Sequence, residues 1–138
     1  MTTAAELFAQ AQVILLDFDG PVTRLLPPPA NAELAASARN LATELGMPLT
    51  PELESTADHL AIIRAANRHS GEVAIQVEAL CTAGEREAAT LTEPTAGVRE
   101  VLEAAASRDA TVVIVTNNSP ECATDFLAAN QLSHLVHN

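Results

Sequence analysis

At 138 residues and 14.4 kDa, with 48% hydrophobic residues, the chain suits one compact domain or a small core with an insert. A net charge of −11 argues against nucleic-acid binding, which needs a basic face, and against an anionic membrane surface. Aromatic residues make up only 2%, with no Trp or Tyr, so the interior must be built from Ala, Leu, Val and Ile.

Residues 3–11 read as a short helix with Thr3 as its cap. Residues 13–20, Val-Ile-Leu-Leu-Asp-Phe-Asp-Gly, form a short apolar run that ends in two aspartates and a glycine. Such a run bounded by turn residues fits a buried strand. With a side-chain period of 2, Asp17 and Asp19 point to one side and Phe18 to the other. Paired carboxylates at a strand end suit magnesium, and they suit a nucleophile beside a general acid/base. The same residues also fit a plain Asx-type turn. Pro27–Pro29 reads as a stiff, extended exit from this strand and turn.

From about residue 31 to 92 the pattern is helical. Leu34, Ala35, Ala38, Leu41, Ala42 and Leu45 recur at helical spacing, and Gly46 and Pro48 end the segment. A second helix is expected from Thr50 and Pro51, with Leu53, Ala57, Leu60, Ala61 and Ile63 inward and Gly71 as its breaker. A third covers roughly 72–90, weakened at Gly84. Helix 95–107 places Val98, Val101, Leu102 and Ala105 on one face.

Residues 112–119, Val-Val-Ile-Val-Thr-Asn-Asn-Ser, are a second apolar run that ends in small polar residues. Ser119 fits an N-cap, Pro120 a first helical residue and Glu121 the first turn of a helix over 120–131. Strand, polar turn and helix N-terminus can build an anion site, and capping alone can also account for them. Leu132–His137 could start a third strand. The alternation predicts an α/β fold with a parallel sheet and right-handed crossovers. Ligands in such sheets sit beyond the strand C-termini, where Asp17, Asp19 and Thr116 fall together.

Together the two segments closely resemble the haloacid dehalogenase (HAD) superfamily of phosphohydrolases. Asp17-Phe18-Asp19-Gly20-Pro21-Val22-Thr23 matches its first motif, and Thr116-Asn117-Asn118 its second. The resemblance implies a parallel-sheet, Rossmann-like core over residues 1–27 and 93–138, with a helical cap over 28–92. It implies that Asp17 attacks phosphorus and that Asp19 protonates the leaving group and then activates water. Thr116, Asn117 and Gly20 would hold the phosphate, and Asp17 and Asp19 would hold Mg2+. A small phosphorylated metabolite is the implied substrate, and haloacid dehalogenation or phosphonate cleavage is open within the family.

The family's basic third motif and acidic fourth motif lie after the second, and no residue here matches them. There is no Lys, the last Arg is Arg108, and the acids after Ser119 are Glu121 and Asp125 in the expected helix. The core is therefore expected to be incomplete, and the 138-residue chain inactive or nearly so by itself. The alternative is a non-catalytic HAD-like module that binds a partner or ligand; a receiver-like domain would lack the long helical insert. An unpaired edge on strand 13–17 would expose Val13, Ile14, Leu15 and Leu16 and invite self-association.

Cys81 and Cys122 are the only cysteines, a usage that fits reduced thiols in a cytoplasmic protein. The first basic residue is Arg24, and the run at 13–16 is too short for a signal or membrane segment. His134 and His137 have zinc-like spacing but no third ligand nearby, so they read as surface residues. Asp58, His59 and Arg64 either face the cleft from the insert or are solvated; solvation is the expectation.

Overall fold

The computed structural model describes residues 1–137. A short helix α1 (Ala4–Gln10) is closed by a capping box, in which Thr3 Oγ1 accepts from Glu6 N and the Glu6 carboxylate accepts from Thr3 N. Strand β1 (Val13–Asp17) follows, and much later β2 (Thr111–Val115). The two pair in parallel, with Val13 opposite Thr111 and Asp17 opposite Val115. Between them run α2 (Ala30–Glu44), α3 (Pro51–Ser55), α4 (His59–His69), α5 (Gly71–Leu91) and α6 (Val98–Ala106). Helix α7 (Pro120–Ala129) and a 3-10 turn at Ser133–Leu135 follow β2. No helix among the described residues is long and apolar enough to cross a membrane.

The buried side chains form two clusters. One packs the sheet: Phe18, Leu25, Leu102, Val112, Phe126 and Leu132 lie at its centre, with Phe18 edge-on to Phe126 at 5.3 Å. The other lies among the helices and is built from Ala38, Ala42, Ile62, Ala66, Val77 and Cys81. Helix α5 joins them: Val73, Ala74, Val77 and Cys81 lie in the helical cluster and Ala89 in the sheet cluster. Gly84 lets α2 come close to it, since a Cβ there would stand 2.6 Å from a Leu34 methyl.

Local chemistry corrects several expectations. The second helix is two helices, because Asp58 Oδ1 accepts from Leu60 N and starts a new helix at His59. The interruption resets the helical phase, so α4 buries His59, Ile62, Ala65 and Ala66, while Leu60, Ala61 and Ile63 are half-buried. Gly71 opens α5 directly after the single cap residue Ser70. Pro28–Pro29 make a turn rather than an extended exit, and Ala30 N donates to Pro27 O. Helix α6 starts at Val98 because Gly97 takes a positive φ of 88°. Val101, at the edge of its apolar stripe, is 42% exposed.

No strand forms over 132–137; the 3-10 turn takes its place, although His137 N donates to Val112 O at 2.7 Å. His134 and His137 are exposed, and His137 Nδ1 accepts from Val112 N. In β1, Ile14 and Leu16 pack on the sheet cluster instead of being exposed, while Val13 (58%) and Leu15 (69%) are open to solvent. Period-2 alternation, not the edge, makes this division.

Candidate functional site

The parallel register places Asp17 beside Val115, so the turns leaving both strands open at one end of the sheet. Asp17 is the last residue of β1, Asp19 and Gly20 lie in the next turn, and Thr116 follows β2 directly. Asp17 and Asp19 are both exposed. Asp17 Oδ1 accepts from Phe18 N at 2.8 Å and Asp19 Oδ1 from Leu25 N at 3.1 Å. Neither has a cationic side chain within 4.0 Å among the described residues.

The first turn is fixed from within and from outside. Gly20 takes a φ of 110°, where a side chain would be strained, and its N–H donates to Thr23 O at 2.6 Å. The N–H thus serves the turn in this arrangement. Buried Thr23 donates its hydroxyl to Glu93 O, and Thr95 donates to Val22 O and Gly20 O. The 93–95 segment therefore buttresses the aspartate turn from about 70 residues away, with Thr23 and Glu93 separated by 70 positions.

The second turn is organised by Asn118, which is buried. Its N–H donates to Thr116 Oγ1 at 3.0 Å, and Thr116 Oγ1 donates to Asn118 Oδ1 at 3.1 Å. Asn117 is exposed and lines the cleft beside the turn. Ser119 occupies the N-cap position of α7, but its hydroxyl makes no cap bond and is buried without a partner. Its backbone N–H instead donates to Glu85 Oε2 at 2.8 Å.

Glu85, on α5, is the centre of this region and is only 2% exposed. Oε1 accepts from Asn118 Nδ2 at 2.8 Å and lies 2.8 Å from His59 Nε2. Burial acts to raise the Glu85 carboxyl, but the bonds from His59, Asn118 and the Ser119 amide outweigh it and bring it down to about 2. The Cys81 and Cys122 thiols are pushed up to about 12 by burial and by the Glu85 charge, and both cysteines are free. His59 is thus buried and bonded rather than solvated; Asp58 and Arg64 are exposed and pair with each other at 2.9 Å.

Two clefts flank the network. One of about 450 Å³ is bordered by Asp19, Asn31, Asp58, His59 and Asn118. The other, about 490 Å³, is bordered by Arg64, Glu78, Glu85, Asn117 and Ser119. Leu60 and Asn118 line both.

No protein-family model matches the chain, and no curated protein does. Among solved structures, the chain is similar to a predicted phosphoglycolate phosphatase from Haemophilus somnus 129PT, at 18% identity over 92% of this chain with a TM-score of 0.57. The fold is haloacid dehalogenase-like. A structure described as a dehalogenase is also similar, at 12% identity over 93% of this chain with a TM-score of 0.44. The chain spans 60% of the length of the first structure and 61% of the second.

Within this HAD-like fold, sequence reasoning missed Glu85, the bonds by which Asn118 links Glu85 to Thr116, and the buttress at 93–95. One signal for Glu85 was present: it continues the apolar stripe Val77, Cys81, Ala89 of α5, where a charge has no water to face.

Proposed function

We propose that the chain carries the reactive carboxylates and the phosphate loop of a HAD-like hydrolase that cleaves phosphate monoesters. The observation that supports this most directly is the strand register, which brings Asp17 and the turn starting at Thr116 to one end of the sheet. In this reading a carboxylate oxygen of Asp17 attacks phosphorus as the bond to the leaving oxygen breaks, and protonated Asp19 gives that oxygen its proton. The Asp19 carboxylate then takes a proton from water, whose oxygen attacks phosphorus and frees phosphate and Asp17. Thr116 turns its hydroxyl from Asn118 to the anion, with the Asn117 amide beside it.

Asp17 and Asp19 would hold Mg2+. The fit is that of a hard cation that takes one or two carboxylates and completes its shell with water and phosphate oxygens. No group of three or more His, Cys, Asp or Glu that could hold a metal gathers among the described residues, so these two are the donors offered. When bound, the ion would offset the charge of the transferring phosphoryl group. The family's basic third-motif residue is assigned to no position in this chain. Clefts of about 450 and 490 Å³ suit a small phosphorylated metabolite.

Crystals soaked with orthovanadate and Mg2+ test the reading. The anion is expected between Asp17 and Thr116; density for it only elsewhere would sink the assignment. We also propose that the chain self-associates through the open face of β1, where Val13 and Leu15 are exposed. Light scattering should show a mass that rises with concentration, and Leu15→Lys should return it to the monomer. A wild-type mass that stays monomeric would refute this.

A further inference from the structure

Glu85 is a charged side chain with almost no solvent contact, and neither carboxylate chemistry nor metal binding uses it in the reading above. Its partners come from three separate parts of the molecule. His59 is the first residue of α4, Asn118 and Ser119 belong to the turn after β2, and Glu85 sits late in α5. The bonds form a continuous chain. His59 Nε2 meets Glu85 Oε1, the same oxygen accepts from Asn118 Nδ2, and Asn118 in turn brackets the Thr116 hydroxyl. The second oxygen, Oε2, takes the Ser119 amide and so sets the far end of the same turn.

Simple stability does not need a carboxylate here. An apolar residue would fill the stripe of α5 with no charge to desolvate, and buried ion pairs rarely outdo such a replacement. What a carboxylate adds is direction, because its lone pairs fix three donors at once. At the other end of the chain, His59 lies beside Asp58 and Leu60, and all three border the cleft that Asp19 lines. Side-chain bonds thus run without a break from His59 at the start of α4 to Thr116.

We propose that Glu85 is a positioning residue that sets the Thr116–Ser119 turn from the helical insert, so that anion binding at the turn depends on the seating of His59 in α4. The proposal rests on the phosphate-binding reading of Thr116 and names what regulates that site. No group other than His59, Asn118, the Ser119 amide and the thiol of Cys122, which donates to the Glu85 backbone oxygen at 3.5 Å, hydrogen-bonds to Glu85 from outside its own helix among the described residues.

The test compares wild type, Glu85→Gln, His59→Leu and His59→Gln, with orthovanadate plus Mg2+ as the calorimetric probe. Glu85→Gln keeps the size of the side chain but has one acceptor oxygen in place of two, so it cannot accept from Asn118 Nδ2 and Ser119 N through separate oxygens, and affinity should fall by about tenfold or more. His59→Leu should also weaken binding, although His59 touches neither the turn nor the anion. His59→Gln, whose amide can donate where Nε2 stands, should restore it. Unchanged affinity in Glu85→Gln or His59→Leu would overturn the proposal, as would a loss in His59→Leu that His59→Gln fails to restore. A second readout does not need anion binding. The Ser119 amide proton, which donates to a carboxylate, should resonate at low field and move upfield in Glu85→Gln and, by less, in His59→Leu. An unmoved signal in His59→Leu refutes the coupling. If wild type binds no vanadate, the phosphatase reading fails, and the amide signal alone decides the role of Glu85.

Discussion

Asp17→Asn is expected to bring any phosphate-monoester turnover by the protein down to the level of background. The substitution changes one oxygen for an amide nitrogen of similar size. It leaves the other oxygen free to accept from Phe18 N, as Oδ1 does now at 2.8 Å, so the turn should keep its shape. What is lost is the charge that attacks phosphorus. Asp19→Asn should act at a different point. It removes the proton carried to the leaving oxygen and the base for water, effects typically worth about 10²–10⁴ in rate. The two can be separated with a substrate whose leaving group needs no proton, such as a nitrophenyl ester. There Asp19→Asn should still form the covalent species and then stall, whereas Asp17→Asn should form none. Retention of an appreciable part of the rate in Asp17→Asn would remove Asp17 from the role of nucleophile.

Glu85→Ala should destabilise the fold by roughly 3–5 kcal/mol, the range seen when one partner of a buried charged pair is removed. The truncation leaves the Asn118 amide, the Ser119 N–H and the His59 ring without the acceptor that all three share. Urea unfolding should show the loss as a lower midpoint. The same residue makes a prediction for pH. Its carboxyl is held at about 2, below the ordinary 4.5, so the folded state binds the proton less readily than the unfolded one. Its contribution is therefore fully present above about pH 4.5 and is lost as the pH falls through about 2. At about 1.4 kcal/mol per pH unit, this is on the order of 3 kcal/mol. Wild type should lose stability steeply over that window, and Glu85→Ala should show a flatter profile there. Equal slopes in the two proteins would mean that Glu85 is not held ionised by its partners.

The parts of the site that were legible in the sequence are those set by neighbours along the chain. A four-residue apolar run followed by Asp-Phe-Asp-Gly is enough to place Asp17 at a strand end, and the run 112–115 does the same for Thr116. Strand period, helix period and turn chemistry act over a few residues, so the main elements of the sheet and the inner stripe of α2 followed from them. Where two local rules competed, the reading failed. Asp58 divided one expected helix into two by capping Leu60, and the new phase carried His59 inward.

Tertiary structure decided the connections that link the two turns to the rest of the molecule. Ser119 shows the difference. Its residue type and position signalled a side-chain cap, and it does occupy that position, yet its hydroxyl is idle and its amide is held by Glu85. Glu85 stands 26, 33 and 34 positions from His59, Asn118 and Ser119. No periodicity spans such distances, and only the packing of α5 against α4 and α7 brings these groups together. The chain by itself determined which residues stand at the strand ends, because strands and turns are local. Which buried charge holds them there was decided by the fold, because a carboxylate is stable out of water only where distant donors converge on it.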